Sequence, residues 1–147
     1  MKKLLKFVES WLAKLLMELK STKSGTHNLD LTYFKLSEFD SPDEVGSGYR
    51  MDMDFLRRLD TARSIAGIPF RINSGYRTAT HNRLVGGRVG SSHKKGLAVD
   101  IGYNGSRERY LILKALMEVG ITRFGVAKTF IHCDVDNNKD GDVIWLY

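Results

Sequence analysis

An aspartate in the middle of an apolar segment constrains the fold of this chain more than any other feature. The segment Leu97–Ile101 reads LAVDI, and its alternation is typical of a β-strand. Because strand side chains alternate between two faces, the aliphatic side chains share one face and Asp100 lies on the other. His93 is just upstream, and Gly96 allows the intervening loop to turn. The sequence therefore predicts a strand with an apolar core face and a polar face close to a histidine.

A second segment, Phe130–Asp136, repeats this pattern with the letters FIHCDVD. Its apolar face is expected to belong to the core and includes Cys133. His132, Asp134 and Asp136 are expected on the opposite face. If the two strands are neighbours, this polar face meets Asp100 across the sheet.

Histidine and carboxylate side chains that converge in this way suit a zinc ion. His93, Asp100 and His132 would supply three protein ligands, as in a catalytic zinc site that keeps one position for water. A single strand histidine is more often structural, however. On spacing alone, a metal site and a structural role for these residues are equally open.

Two further segments predict helices. Residues 51–66 carry apolar side chains at helical spacing and are followed by Gly67. Ser106 is expected to cap a helix that runs to Gly120. The inward residues of that helix are expected to be Tyr110, Leu113 and Met117. A single helical turn is expected near Thr80–Leu84.

Five segments predict strands: PFRIN, LAVDIG, RFGVA, TFIHCDVD and VIWLY. Because helices and strands do not alternate strictly, the expected class is α+β, with a mostly antiparallel sheet flanked by helices.

Residues Asp136–Asp142 match the first half of an EF-hand calcium loop, but the final glutamate and the flanking helices are missing. A hairpin turn is predicted there instead.

The chain begins with a predicted amphipathic helix over residues 1–23, followed by a predicted linker, 24–33, and a domain, 34–147. Charged residues interrupt the apolar run of this helix, which argues against a cleavable signal peptide and against a membrane span. The helix is expected either to pack on the domain or a partner chain, or to lie on an anionic membrane surface.

Charge and cysteine content exclude some classes of protein. The formal net charge is +6, but six lysines and two glutamates fall in residues 1–23. The other residues hold 17 basic and 15 acidic side chains, without the clustered basic face expected of a nucleic-acid-binding protein. The single cysteine excludes a disulfide framework within the chain and a cysteine-rich zinc module.

Three segments together carry a family resemblance: SGYRTATHNRLVGGRVGSSHKKGLAVDI, FIHCDVD and the terminal VIWLY. They resemble the zinc D-Ala-D-Ala carboxypeptidase and endolysin family of peptidoglycan peptidases. The family pattern S-x-H-x-x-G-x-A-x-D is met over residues 91–100, and its later H-x-[DE] is met at His132 and Asp134. The resemblance covers roughly residues 34–147. It implies the fold shared by hedgehog domains and D-Ala-D-Ala peptidases.

The resemblance implies that His93, Asp100 and His132 bind Zn2+, which activates a hydrolytic water. It also implies that Arg77, in SGYR, holds a substrate carboxylate or the oxyanion. The alternative for Arg77 is a structural salt bridge. Ser92 and Tyr76 are expected to line the site and to contact substrate.

The general base departs from the family pattern. Many relatives carry an acid three residues before the last zinc histidine, where this chain has Thr129. Asp134 is the nearest replacement, acting either as the base or as an acceptor that orients a ligand.

The resemblance implies a zinc-dependent hydrolase of peptidoglycan stem peptides, either a carboxypeptidase or an endopeptidase. The alternative is a non-catalytic zinc-binding module on the same fold, as in hedgehog domains, which binds cell wall or a protein partner. Without a cleavable signal, the protein is expected to be made in the cytoplasm. It would then reach the wall by phage- or prophage-type release, or as a virion component.

Overall fold

A five-stranded sheet runs through residues 30–147, which are those that the computed structural model describes. The strands are β1 (Arg71–Ser74), β2 (Ala98–Gly102), β3 (Arg123–Val126), β4 (Phe130–Asp134) and β5 (Val143–Leu146). Their order across the sheet is β1-β2-β4-β3-β5. All neighbouring pairs are antiparallel except β3 and β5, which are parallel. The predicted α+β class and mostly antiparallel sheet are confirmed.

The predicted amphipathic helix, residues 1–23, lies outside the described residues, as does the linker up to residue 29. Residues 31–147 form one compact unit. Among the described residues, no helix combines the length and apolar character needed to cross a bilayer.

The register between β2 and β4 positions the polar residues singled out in the sequence. Asp100 lies directly opposite His132, and Val99 lies opposite Cys133. Because directly opposed residues of an antiparallel pair share a face, the polar pair lies on one side of the sheet and the apolar pair on the other. The fully buried Cys133 belongs to the core, as predicted.

Two long helices, α1 (Met53–Ala66) and α3 (Gly105–Glu118), pack against each other, and α3 also contacts β4. Helix α1 is capped at its N-terminus by Asp52, whose side chain accepts the Phe55 N–H at 2.8 Å, and at its C-terminus by Gly67. Its buried residues are Phe55, Leu56, Leu59 and Ala62. Full burial of each of the larger side chains stabilises the fold by ~1.5–3 kcal/mol. A third, short helix, α2 (Ala79–Leu84), follows β1.

The predicted inward face of α3 was wrong. Its N-cap is Asn104 instead of Ser106, and its buried residues are Ile112, Ala115 and Leu116. Tyr110 and Met117 are 63% and 47% exposed. The segment contains two apolar stripes at helical spacing, and periodicity does not choose between them. In the folded chain, the stripe with Ile112, Ala115 and Leu116 is the one that is buried.

Candidate metal centre

Three side chains converge on one point at the polar face of the sheet. His93 Nε2 lies 3.2 Å from both Asp100 Oδ1 and His132 Nδ1, and His132 Nδ1 lies 2.9 Å from Asp100 Oδ1. All three residues are buried. The structure therefore brings together the three residues predicted as zinc ligands.

Hydrogen bonds on the far side of each ring determine which histidine nitrogens face inward. His93 Nδ1 lies 2.7 Å from the carbonyl oxygen of Gly75, which can only accept, so Nδ1 carries the proton and Nε2 has a free lone pair. His132 Nε2 lies 3.1 Å from Asp134 Oδ2 and donates to it, so the neutral ring presents the Nδ1 lone pair. Two nitrogen lone pairs and a carboxylate oxygen thus face one another.

This donor set fits a zinc ion. Bonds of 2.0–2.1 Å in a tetrahedral site separate neighbouring donor atoms by ~3.3 Å, close to the separations between these three atoms. Three acceptors in mutual contact repel one another unless a cation lies between them. Each histidine also has the outer hydrogen-bond acceptor that zinc-ligating histidines ordinarily use.

The local electrostatics favour positive charge at this point. Burial raises the pKa of Asp100, but the hydrogen bond from His132 and the positive charge of that ring when it is protonated outweigh burial and hold the pKa well below its usual range. Burial lowers the pKa of His132, but hydrogen bonds to Asp100 and Asp134 outweigh it and raise the pKa above its ordinary value. In the metal-free protein, protonation of His132 Nδ1 supplies the positive charge that the three acceptors require.

His93 is carried by the short 3-10 helix Ser92–Lys95, which ends at Gly96. Gly96 has φ = 70°, and its N–H bonds to the carbonyl of His93. A Cβ at this position would collide with the backbone carbonyl of Arg50. Only glycine meets both requirements, so the glycine of the motif is needed to aim His93.

Arg77 contacts Asp100, one of the three candidate metal ligands. Its Nη2 donates to Asp100 Oδ2 at 2.7 Å, and its Nε donates to Ser74 Oγ at 2.8 Å. Asp100 therefore keeps Oδ1 for the centre and gives Oδ2 to the guanidinium. This contact is a salt bridge of the kind given above as the alternative for Arg77, and it orients Asp100. Arg77 also lines the cleft, so its predicted role toward substrate stays a prediction.

Asp134 is 1% exposed, and both of its oxygens are engaged. Oδ2 accepts from His132, while Oδ1 accepts from Arg123 Nε at 2.8 Å and from the N–H of Asp136 at 3.2 Å. Burial raises the pKa of Asp134, but these hydrogen bonds outweigh it and the pKa is lowered. This geometry favours the orienting role for Asp134 over the role of base.

A family model described as Peptidase M15 matches residues 32–134, which include the three converging residues and strands β1–β4. The chain belongs to the peptidase M15 family. Members of this family are zinc peptidases, which agrees with the donor set. No curated protein matches the chain.

An open cleft of about 950 Å³ lies over the candidate metal centre of this M15 family member. Ser92 lines it, as predicted. Tyr76 is not among the lining residues, and the Arg50 guanidinium lies over its ring at 5.2 Å. Position 129, where many relatives carry the acid that acts as general base, holds a threonine in this chain. Thr129 precedes β4, and its carbonyl accepts the Tyr103 N–H at 3.0 Å.

Several residues that were not predicted from the sequence also line the cleft: Arg88, Arg123, Phe130, Lys139, Trp145 and Tyr147. The Trp145 ring lies 5.6 Å from the His132 ring and covers Gly125, where a Cβ would come within 2.6 Å of the indole. Two signals could have found this arrangement: the glycine inside the RFGVA strand and the alternating aromatics in VIWLY.

Proposed function

We propose that this M15 peptidase is a zinc-dependent hydrolase of peptide bonds in bacterial peptidoglycan stem peptides. The observation that carries the proposal is the convergence of His93 Nε2, Asp100 Oδ1 and His132 Nδ1 within 2.9–3.2 Å of one another. Family membership supports a peptidase, and an open cleft over the centre provides access for a peptide.

His93, Asp100 and His132 would hold the zinc ion, which in such sites supplies Lewis-acid chemistry for hydrolysis. The chain's own groups then have separate tasks. Arg77 holds Asp100 in place through Oδ2, and Asp134 holds the His132 tautomer. The Trp145 ring shields one side of the His132 imidazole from water.

A second candidate function is a zinc-binding module without catalytic activity. A specific observation favours it: the two carboxylates that line the cleft, Asp100 and Asp134, are both engaged by cations, and Thr129 cannot take a proton. Among the described residues, the cleft therefore has no free carboxylate to act as general base.

The deciding experiment is digestion of purified peptidoglycan, with new amino and carboxyl termini read by mass spectrometry. We expect cleavage that chelator abolishes and zinc restores, and no cleavage by His93→Ala. Loss of the terminal residue alone would identify a carboxypeptidase, whereas internal fragments would identify an endopeptidase. Absence of cleavage by protein shown to contain zinc would favour the binding module, and full activity of His93→Ala would refute the zinc mechanism.

A further inference from the structure

The cleft carries more positive charge than its acids neutralise. Four cationic side chains line it: Arg77, Arg88, Arg123 and Lys139. Arg77 donates to Asp100 at 2.7 Å and Arg123 donates to Asp134 at 2.8 Å, so these two pairs are internally neutral. Arg88 and Lys139 remain.

Lys139 is anchored without being neutralised. Its Nζ donates to Ser92 Oγ at 2.7 Å and lies 3.8 Å from Asp136 Oδ2. That same oxygen already accepts from Lys95 Nζ and from Ser92 Oγ, each at 2.8 Å. One buried carboxylate therefore faces two lysines, and Lys95 is the closer partner. The Lys139 ammonium has three N–H donors and keeps donors free toward the cleft.

The anchor places this charge in the cleft that also holds the candidate metal ligands. Lys139, Ser92 and His93 all line that cleft, and Ser92, which accepts from Lys139 Nζ, directly precedes His93 in the 3-10 helix. Arg88 approaches from the glycine-containing loop between α2 and that helix. It is exposed and makes no ion pair with any described residue.

We propose that Lys139, assisted by Arg88, forms a subsite that binds a free carboxylate of the peptide substrate next to the scissile bond. This inference rests on the proposed function. A surplus of cations in a cleft attracts an anionic group, and the acids of a stem peptide are carboxylates. Because Asp100 neutralises Arg77, the surplus positive charge that attracts this carboxylate lies at Lys139 and Arg88.

The test uses the zinc-loaded full chain and synthetic stem peptides in which each free carboxylate is converted, one at a time, to a carboxamide. For the wild type, we expect kcat/KM to fall on the order of 10- to 100-fold for one amidated peptide. Lys139→Met should lose the same factor on the unmodified peptide, mainly through KM, and should no longer distinguish the two peptides. Lys139→Arg should recover part of the difference.

Lys128→Met is the matched control, because Lys128 is an exposed lysine that does not line the cleft and makes no ion pair with Asp136. It should discriminate between the peptides as the wild type does. The proposal is overturned if Lys139→Met keeps the wild-type discrimination, or if Lys128→Met loses as much. If the wild type cleaves nothing, the proposed function fails. Calorimetric binding of the same peptides to the same variants then decides the subsite.

Discussion

At the scale of the residue, hydrogen-bond partners decide what each charged side chain can do. The family resemblance implied that Arg77 binds substrate. It left two roles possible for Asp134, either the general base or an acceptor that orients a ligand. The contacts assign Arg77 to Asp100 and Asp134 to His132 and Arg123. A motif specifies the residue type but not the partner, because the partner comes from another part of the chain.

Replacing Arg77 by methionine should weaken zinc binding about 10- to 100-fold, because Asp100 loses the donor that fixes its orientation. Competition with a chromophoric chelator measures this change. Arg83→Met is a suitable control, since Arg83 is exposed and does not line the cleft. If Arg77→Met instead keeps the wild-type zinc affinity and has a raised KM, Arg77 acts in substrate binding.

Zinc binding should weaken as the pH falls. The pKa of His132 is raised, so in the metal-free protein this ring keeps its second proton to a higher pH than an ordinary histidine of pKa 6.5. Zinc must displace that proton, and the apparent affinity therefore declines as the pH drops through the raised value. Calorimetry in buffers of different ionisation enthalpy should detect proton release at neutral pH, and a heat independent of buffer would contradict this.

At the scale of the element, the 3-10 helix that carries His93 depends on the backbone conformation of one residue. Gly96 ends this helix with a positive φ, and its N–H bonds to the carbonyl of His93. The sequence marked this glycine as a turn residue. The requirement for close approach to the backbone at Arg50 came only from the packing of a preceding segment.

Gly96→Ala should destabilise the fold more than Gly67→Ala. Both glycines have similar positive φ values, 70° and 65°, so alanine costs about 1–2 kcal/mol at either site. At Gly67 a Cβ would meet nothing within 4 Å, whereas at Gly96 it collides with the Arg50 carbonyl. That collision adds about 1–3 kcal/mol. Urea denaturation of both variants measures the difference, and equal losses of stability would show that the collision is relieved at no cost.

At the scale of the whole molecule, sheet order builds the cleft. Antiparallel pairing of β2 with β4 sets Asp100 opposite His132, and parallel pairing of β5 with β3 brings Trp145 over Gly125. The first pairing was expected from two strands with matching polar faces. The second was not, and the hairpin predicted over Asp136–Asp142, which would pair β4 with β5, was wrong because β5 pairs with β3. A parallel pair needs a crossover that local sequence does not reveal.

The segment 1–23 adds a prediction that rests on sequence alone. If it is an amphipathic helix on an anionic membrane surface, deletion of residues 1–23 should lower binding to anionic lipid vesicles. Turnover of soluble wall fragments should be unaffected by the deletion. Vesicle co-sedimentation measures the first and mass spectrometry the second; unchanged vesicle binding would reject the membrane role and favour packing on the domain or a partner.

The strand positions, the α+β class and the three residues that converge at the candidate metal centre could all be predicted from the sequence. Alternation and turn residues are local, and the motif spacing reflects strand geometry. The inward face of α3, the pairing of Arg77 with Asp100 and the surplus charge at Lys139 emerged only in the folded molecule. Each of these depends on contacts between residues far apart in the chain, and such contacts form only when the packed elements bring those residues together.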